Sequence, residues 1–296
     1  MIQKTAMVTI SGRPNVGKST LLNALVGEKI AIVTNKPQTT RNRILAVLNQ
    51  EETQFVFIDT PGYHAPRTRL GDYMVKVVRE SVAGVDAVIL MVEAIPNIGP
   101  QEENLIKWIA ANEVPSVLVI NKIDTVKKEE LLAVIDLYQK AHKFDAIVPI
   151  SAKQGDGVKG LTEVLDRYAL EGPQLFPDDM ITDQPERQIM AEIIREKLLL
   201  CLQKEIPHGT AVEITKFSER DSGIIDIEAT IYVEKASHKG MVIGKQGVML
   251  RQVGELARKD MERFMGTKVY LETWVKVKER WRDSAYLLRN FGYTSE

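Results

Sequence analysis

Residues 12–19, Gly-Arg-Pro-Asn-Val-Gly-Lys-Ser, constrain the fold of this chain more than any other stretch. Their spacing, G-x-x-x-x-G-K-[S/T], is that of a loop wrapped around the phosphates of a nucleoside triphosphate. Gly12 and Gly17 let the backbone curl so that its N–H groups point inward at phosphate oxygens. Lys18 sets a positive charge against the β- and γ-phosphates, and Ser19 offers a hydroxyl to Mg2+. Gly12, Arg13, Pro14, Asn15, Val16, Gly17, Lys18, Ser19 and Thr20 are all expected to line the nucleotide. Such a loop needs a strand before it and a helix after it, because the helix N-terminus adds its own positive dipole. Met7-Val8-Thr9-Ile10 reads as the strand, and Thr20-Leu21-Leu22-Asn23-Ala24-Leu25 begins the helix.

The remaining chain is long enough for more than that one motif. At 296 residues it should hold one to two domains. Its 39 basic and 40 acidic residues cancel, so net charge alone names no partner. The single cysteine, Cys201, excludes an intrachain disulfide and suits a reducing compartment. The first residues carry no long apolar run beside a cleavage site, and the apolar run 87–92 is too short to cross a bilayer. That run reads as a buried parallel strand.

Through residue 170 strand-like and helix-like segments alternate. Strands are expected at 6–11, 44–49, 54–59, 87–93, 116–121 and 147–151, and helices at 70–83, 101–112, 129–140 and 158–170. Alternation of this kind gives an α/β fold, a mostly parallel sheet with helices on both faces. The polar turn 49–53 joins two strands directly, so that pair is expected as an antiparallel hairpin at the sheet edge. Prolines, a glycine and acidic residues crowd 171–179, which reads as a linker. The expected division is therefore 1–172 for the first domain, 173–184 for the linker and 185–296 for a second domain. Beyond the linker the order changes to helix 187–204, strands 210–217 and 224–234, a Gly-rich helical region 239–265, strand 268–278 and a helical tail 282–290. Charge divides too: residues 235–289 hold 13 basic and 6 acidic residues, so the neutral total conceals a basic C-terminal surface.

Four further segments fall in order at strand ends or adjoining loops, where open α/β sheets bind ligands. Asp59-Thr60-Pro61-Gly62 follows the third strand. Asp59 can hold Mg2+ through a coordinated water, and the Gly62 N–H can bond a γ-phosphate. Asn121-Lys122-Ile123-Asp124 follows the fifth strand. The Asp124 carboxylate can accept from both N1–H and the exocyclic amine of guanine, donors that adenine lacks. Asn121 braces the site and the Lys122 stem lies along the base. Ser151-Ala152-Lys153 follows the sixth strand, where a backbone N–H can reach guanine O6. Gln38-Thr39-Thr40-Arg41 lies between the first helix and second strand, and Thr40, ahead of Thr39, is expected to lend its hydroxyl to Mg2+. The order is that of a GTPase domain, in which Lys18, Thr40, Gly62 and Asn15 are the catalytic candidates. Ser19, Thr40 and Asp59 are the metal set. Where many GTPases place a water-orienting glutamine after Asp-x-x-Gly, this chain has Tyr63, followed by His64. His64 reads as a base or as a solvated loop residue. The Asn15 carbonyl reads as a ligand for a monovalent cation such as K+, or as a brace for its own loop.

In the second half Gly244-Lys245-Gln246-Gly247 is a G-x-x-G loop between helical segments. With 19 glycines such a spacing arises by accident, and 157–160 is a second copy. Context separates them. Met241, Val242 and Ile243 before the loop and Val248, Met249 and Leu250 after it offer apolar groove walls, and Lys245 and Arg251 add charge. The αββααβ order is that of a type II KH domain, whose loop clamps sugar-phosphate while the groove takes unstacked bases. In the last strand Trp274 can stack a base, with Lys276 and Lys278 beside it for phosphates. A protein-docking module is the competing reading.

Taken with 176–179, 194–197, 257–260 and 274–278, these motifs resemble the Era family of bacterial GTPases along nearly the whole chain. The resemblance implies a GTP-hydrolysing switch that binds GTP or GDP and binds 16S ribosomal RNA near its 3′ end, acting in small-subunit assembly. It also implies a cytoplasmic location, with some peripheral membrane association. We expect a monomer. A competing class is a GTP-regulated RNA-binding or docking factor in which hydrolysis is not central.

Overall fold

The computed structural model describes residues 2–36, 39–62, 68–81, 84–203 and 206–293. Gln38, Tyr63 and His64, singled out above, lie outside the described residues. The chain forms two compact units. One comprises Met1–Ala31, Thr40–Ala65 and Met74–Asp183; the other comprises Ile32–Thr39, Pro66–Tyr73 and Gln184–Glu296.

In the first unit the elements run β1 (Lys4–Gly12), α1 (Lys18–Val26), β2 (Ile44–Gln50), β3 (Thr53–Asp59), α2 (Arg69–Glu80, whose first turn belongs to the second unit), β4 (Ala87–Glu93), α3 (Pro100–Asn112), β5 (Ser116–Asn121), α4 (Lys128–Ala141), β6 (Ala146–Pro149), α5 (Val158–Leu165) and β7 (Leu170–Glu171). The sheet order is β2-β3-β1-β4-β5-β6. The ladders from β3 to β6 are parallel, and β2 pairs antiparallel with β3 at the edge, as the short polar turn between them requires. β4 and β5 are buried on both faces, which explains their near-continuous apolar runs. One face packs Leu21, Leu22, Leu161 and Leu165 against β1 and β3, and the other packs Leu105, Ile106, Ile109 and Tyr138 against β4 and β5.

Two expectations fail at this unit's end. The sixth strand stops at Pro149, and Ser151 makes only an isolated bridge to Asp156. The last helix stops at Leu165 instead of 170, because the chain tightens into a 3-10 turn at Asp166–Tyr168 and then pairs back on β1. The Pro-rich stretch after it is tied down. The Gln54 side-chain carbonyl accepts the Leu175 and Phe176 N–H groups at 2.9 Å each, and the Val47 N–H donates to Ile181 O at 3.0 Å.

The second unit runs α6 (Glu186–Cys201), β8 (Thr210–Glu219), β9 (Ile225–Val233), α7 (Ala236–Ile243), α8 (Val248–Met265), β10 (Val269–Val277) and α9 (Ala285–Asn290). The expected helical region 239–265 is two helices, beginning at Ala236 and broken at the loop 244–247. Its sheet, β10-β9-β8, pairs β9 with β8 antiparallel and with β10 parallel. Alternate strand residues pack on α6, α7 and α8 in one core with Ile194, Leu198, Val253, Ala257 and Met261. Trp281 closes the far end: it is fully buried, its indole N–H donates to Gly209 O at 2.9 Å, and it contacts Phe291 and Tyr293. This unit also holds the segment Ile32–Thr39. The Glu196 carboxylate accepts the Val33 N–H at 2.9 Å, and the Arg195 guanidinium donates to Thr39 O.

Candidate functional site

Parallel strands β1, β3, β4, β5 and β6 are neighbours, so the loops leaving β1, β3, β5 and β6 meet at one edge of the sheet. The register sets Ile10 opposite Asp59 and Glu93 opposite Asn121. Sequence segments up to about 140 residues apart thereby become one surface.

The loop after β1 closes around Lys18. This side chain is buried, and its Nζ donates to Gly12 O at 3.1 Å and Arg13 O at 2.9 Å. Burial lowers its pKa, and the attraction of Asp59 only partly opposes that. Gly17 sits at φ +108°, and a Cβ there would collide with the Asn121 side-chain amide. The reason is that Asn121 itself spans two loops. Its Nδ2 donates to Val16 O at 2.7 Å, and its Oδ1 accepts the Ala152 N–H at 2.9 Å. One asparagine thus joins the phosphate loop to the segment after β6. Because the Ala152 N–H is engaged in this way and the Ser151 N–H donates to Asp156 O, the Lys153 N–H is the backbone donor of that segment with no acceptor among the described residues.

Ser19 Oγ donates to Asp59 Oδ2 at 2.7 Å and lies 2.9 Å from Thr40 Oγ1. Thr39 turns elsewhere, its hydroxyl 2.7 Å from Thr34 Oγ1 and donating to Lys36 O at 2.6 Å. Burial pushes Asp59 up to about 6, against Lys18, Ser19 and the Thr60 N–H, and its Oδ1 is buried without a hydrogen-bond partner among the described residues. Two hydroxyls and an underused buried carboxylate oxygen are hard donors, and they fit a small divalent cation. Thr60 Oγ1 donates to Ile10 O at 3.1 Å, which holds Pro61 and Gly62 against the loop.

Lys122 takes a left-handed backbone, φ +66°, and its ammonium pairs with Glu93. Strain of this sort is retained where neighbours fix it. Asp124 follows in a 3-10 turn, Ile123–Thr125, with its carboxylate exposed. Asn15 is also left-handed, φ +67°, and exposed.

In the second unit a cleft of about 350 Å³ is lined by Gly247, Leu250, Arg251, Gly254, Leu271 and Thr273, among others. Met241 and Val248 are exposed beside it, as are Lys245 and Gln246. Val242 is not a groove wall: it is fully buried in the core although its neighbour Met241 is exposed, and Ile243 packs against that same core. Trp274, Lys276 and Lys278 are exposed, but strand alternation puts them on the face of β10 away from Leu271 and Thr273. They form a surface separate from the cleft. Sequence reasoning gave Arg195 and Glu196, which hold the segment before Thr40, no role beyond the resemblance, and it passed over Glu102, which holds Arg13.

Among the described residues no helix is long and apolar enough to cross a membrane. A family model described as a 50S ribosome-binding GTPase matches residues 7–122, and a KH-domain model matches residues 205–282. GTPase Era of Ruminiclostridium cellulolyticum is 53% identical over 99% of this chain and 98% of its own length. GTPase Era of Alkaliphilus metalliredigens is 50% identical over 99% and 100%. Two solved structures, each 39% identical, match 99% of this chain and 100% of their own. Aquifex aeolicus Era Y63A bound to GDP.AlF4- superposes with a TM-score of 0.94. Era in complex with MgGDPNP and nucleotides 1506–1542 of 16S ribosomal RNA superposes with a TM-score of 0.95. Full-length identity of this order, carried by a GTP-hydrolysing P-loop domain and a KH domain in succession, makes this chain a member of the GTPase Era family.

Proposed function

We propose that this protein is a GTP-driven switch that binds the 3′ region of 16S ribosomal RNA and acts in assembly of the small ribosomal subunit. The observation that carries the reading is the whole-length match to an Era bound to both MgGDPNP and that RNA segment. The nucleotide lies along residues 12–20, with Lys18 on the β- and γ-phosphates. Ser19 and Thr40 ligate Mg2+ directly, Asp59 holds it through water, and the Gly62 N–H meets the γ-phosphate. The 2.7 and 2.9 Å contacts of Ser19 with Asp59 and Thr40 support that metal set. Asp124 reads N1–H and the exocyclic amine of guanine, Asn121 braces its loops, Lys122 lies along the base, and within 151–153 the Lys153 N–H is the backbone donor for O6.

We assign 1–172 to nucleotide binding, 173–184 to the connection and 185–296 to RNA binding; the two family matches fall within the first and last. The loop 244–247 clamps phosphate while Met241, Val248, Leu250 and Leu271 receive bases. We place the protein in the cytoplasm as a monomer, with peripheral membrane contact.

GTP and Mg2+ order the segments around Thr40 and Gly62, and hydrolysis releases them. A 3′-end 16S RNA fragment titrated against the GDP- and GTP-analogue-bound protein is expected to bind the analogue form at least about fivefold more tightly, the low end of ordinary coupling energies. Equal affinities, with no phosphate release whether RNA is present or not, would assign the GTP site a structural role instead.

Hydrolysis also needs charge beside the phosphates. We assign the Asn15 carbonyl to a bound K+, a role consistent with its exposed, left-handed place in the loop. Turnover is then expected to rise at least about tenfold, the equivalent of 1.4 kcal/mol off the barrier, when K+ replaces Na+ at constant ionic strength. Equal rates in the two salts reject the assignment.

A further inference from the structure

Glu102 stands third in α3, beside Glu103, and nothing in the sequence separates the two. The structure does: Glu102 is fully buried and Glu103 is exposed. A carboxylate in the first turn of a helix ordinarily stays in water, where it complements the dipole at little cost. Taking it out of water costs several kcal/mol unless a partner restores the lost solvation. One Glu102 oxygen meets a donor, and the other, without a hydrogen bond among the described residues, faces a cation. Oε2 accepts the Gly99 N–H at 3.1 Å, which caps the helix, and Oε1 meets the Nε of Arg13. Tyr138 packs into the same core, its phenol held well above its usual range by burial first and by the Glu102 charge second.

Arg13 is the second residue of the phosphate loop, and it acts at two points. Its side chain goes to Glu102, while its carbonyl accepts from Lys18 Nζ at 2.9 Å. A continuous path therefore leads from the start of α3, through an ion pair between the buried Glu102 and the half-buried Arg13, to the peptide that aims the phosphate-binding ammonium.

We propose that Glu102 is a positioning residue for the GTP site: by fixing the Arg13 side chain it fixes the Arg13 peptide and so the direction of Lys18. The proposal rests on Lys18 as a phosphate ligand, which the Lys18→Ala variant tests separately.

E102Q keeps the shape and can still accept the Gly99 N–H through its amide oxygen, but it loses the charge facing Arg13. Affinity for fluorescent GDP and a GTP analogue should be measured for the native chain, E102Q, R13Q and R13Q/E102Q, well below each melting temperature. E102Q is expected to weaken both nucleotides about tenfold, within the range seen when one partner of a close charge pair is removed. Because the two residues act through one another, R13Q/E102Q should lose no more than the worse single variant. kcat at saturating GTP should change less than KM. A residue that only stabilises the fold would lower the melting temperature and leave these affinities alone. Should E102Q not fold, E102D carries the test: it keeps the charge and the helix start but is one methylene short of Arg13, and the same loss is expected. Unchanged affinities, or losses that add in the double variant, overturn the proposal.

Discussion

Lys18→Ala is expected to weaken GDP and GTP-analogue binding by about 10²–10³-fold, the usual scale for removing one preorganised donor from developing phosphate charge. Turnover should fall below detection, while the nucleotide-free protein melts within a few degrees of the native chain. The two halves of this expectation have different causes. Within the protein Lys18 is buried with two carbonyls and one carboxylate near it, and burial lowers its pKa. A lysine whose folded pKa lies below its unfolded value opposes folding wherever it is charged, so its loss removes a cost at neutral pH. Against that, Gly12 O and Arg13 O lose a donor, a penalty of about 1–3 kcal/mol until water replaces it. These effects offset each other. With phosphates present nothing offsets the loss, because the cation was placed to meet them. Asp59 is affected as well. Its pKa is already up at about 6, and Lys18 is the first influence holding it down. Without Lys18 it should rise further, so the variant should need more Mg2+ at pH 7. Fluorescent-nucleotide titration, phosphate release and thermal melting measure the three effects. Binding within threefold of native would mean that the loop 12–19 is not where the phosphates lie.

The phosphate loop was legible in the sequence because its geometry permits few residue types: glycine at φ +108° facing Asn121, and an ammonium that must reach back to its own loop. The buried parallel strands were legible for a similar reason, since both faces of β4 and β5 must be apolar. Features set by distant partners were not. The last helix of the first unit looks able to continue past Leu165, but the chain tightens at 166–168 and pairs 170–171 with β1. Val242 and Met241 are both apolar beside the G-x-x-G loop, and the facing of α7 alone decides that one is core and the other exposed. Glu102 and Glu103 are identical letters, and the distinction comes from a loop nearly ninety residues earlier in the chain. Strand alternation did place Trp274 opposite Leu271, yet the cleft had to be seen before the two faces read as separate surfaces.

That separation decides how the RNA surface should be tested. A charge placed in the G-x-x-G loop should reduce RNA affinity, and Gly244 and Gly247 are not equivalent sites for it. Gly244 has φ +74°, and a Cβ there would stand 2.7 Å from Met249 Cβ, so Gly244→Asp would distort the start of α8 as well as add charge. Gly247 has φ +77° with nothing within 4 Å of a new Cβ. The conformational cost there is about 1–2 kcal/mol for an L-residue, and less for aspartate, which tolerates this region better than most. A carboxylate at the start of α8 also complements the helix dipole. Gly247→Asp should therefore fold, and its effect on RNA should be electrostatic. It sets a negative charge where a phosphate is expected, and affinity for a 3′-end 16S fragment should fall at least about tenfold, or 1.4 kcal/mol, at 0.15 M salt. Lys245→Ala should lower the slope of log affinity against log salt by about one, as loss of a single phosphate contact requires. RNA-free GTP turnover, set in the other domain, is the internal control and should stay at the native rate in both variants. Trp274→Ala on the opposite face completes the comparison. If Gly247→Asp binds RNA like the native chain while Trp274→Ala does not, the open sheet face is the RNA surface and the cleft is not.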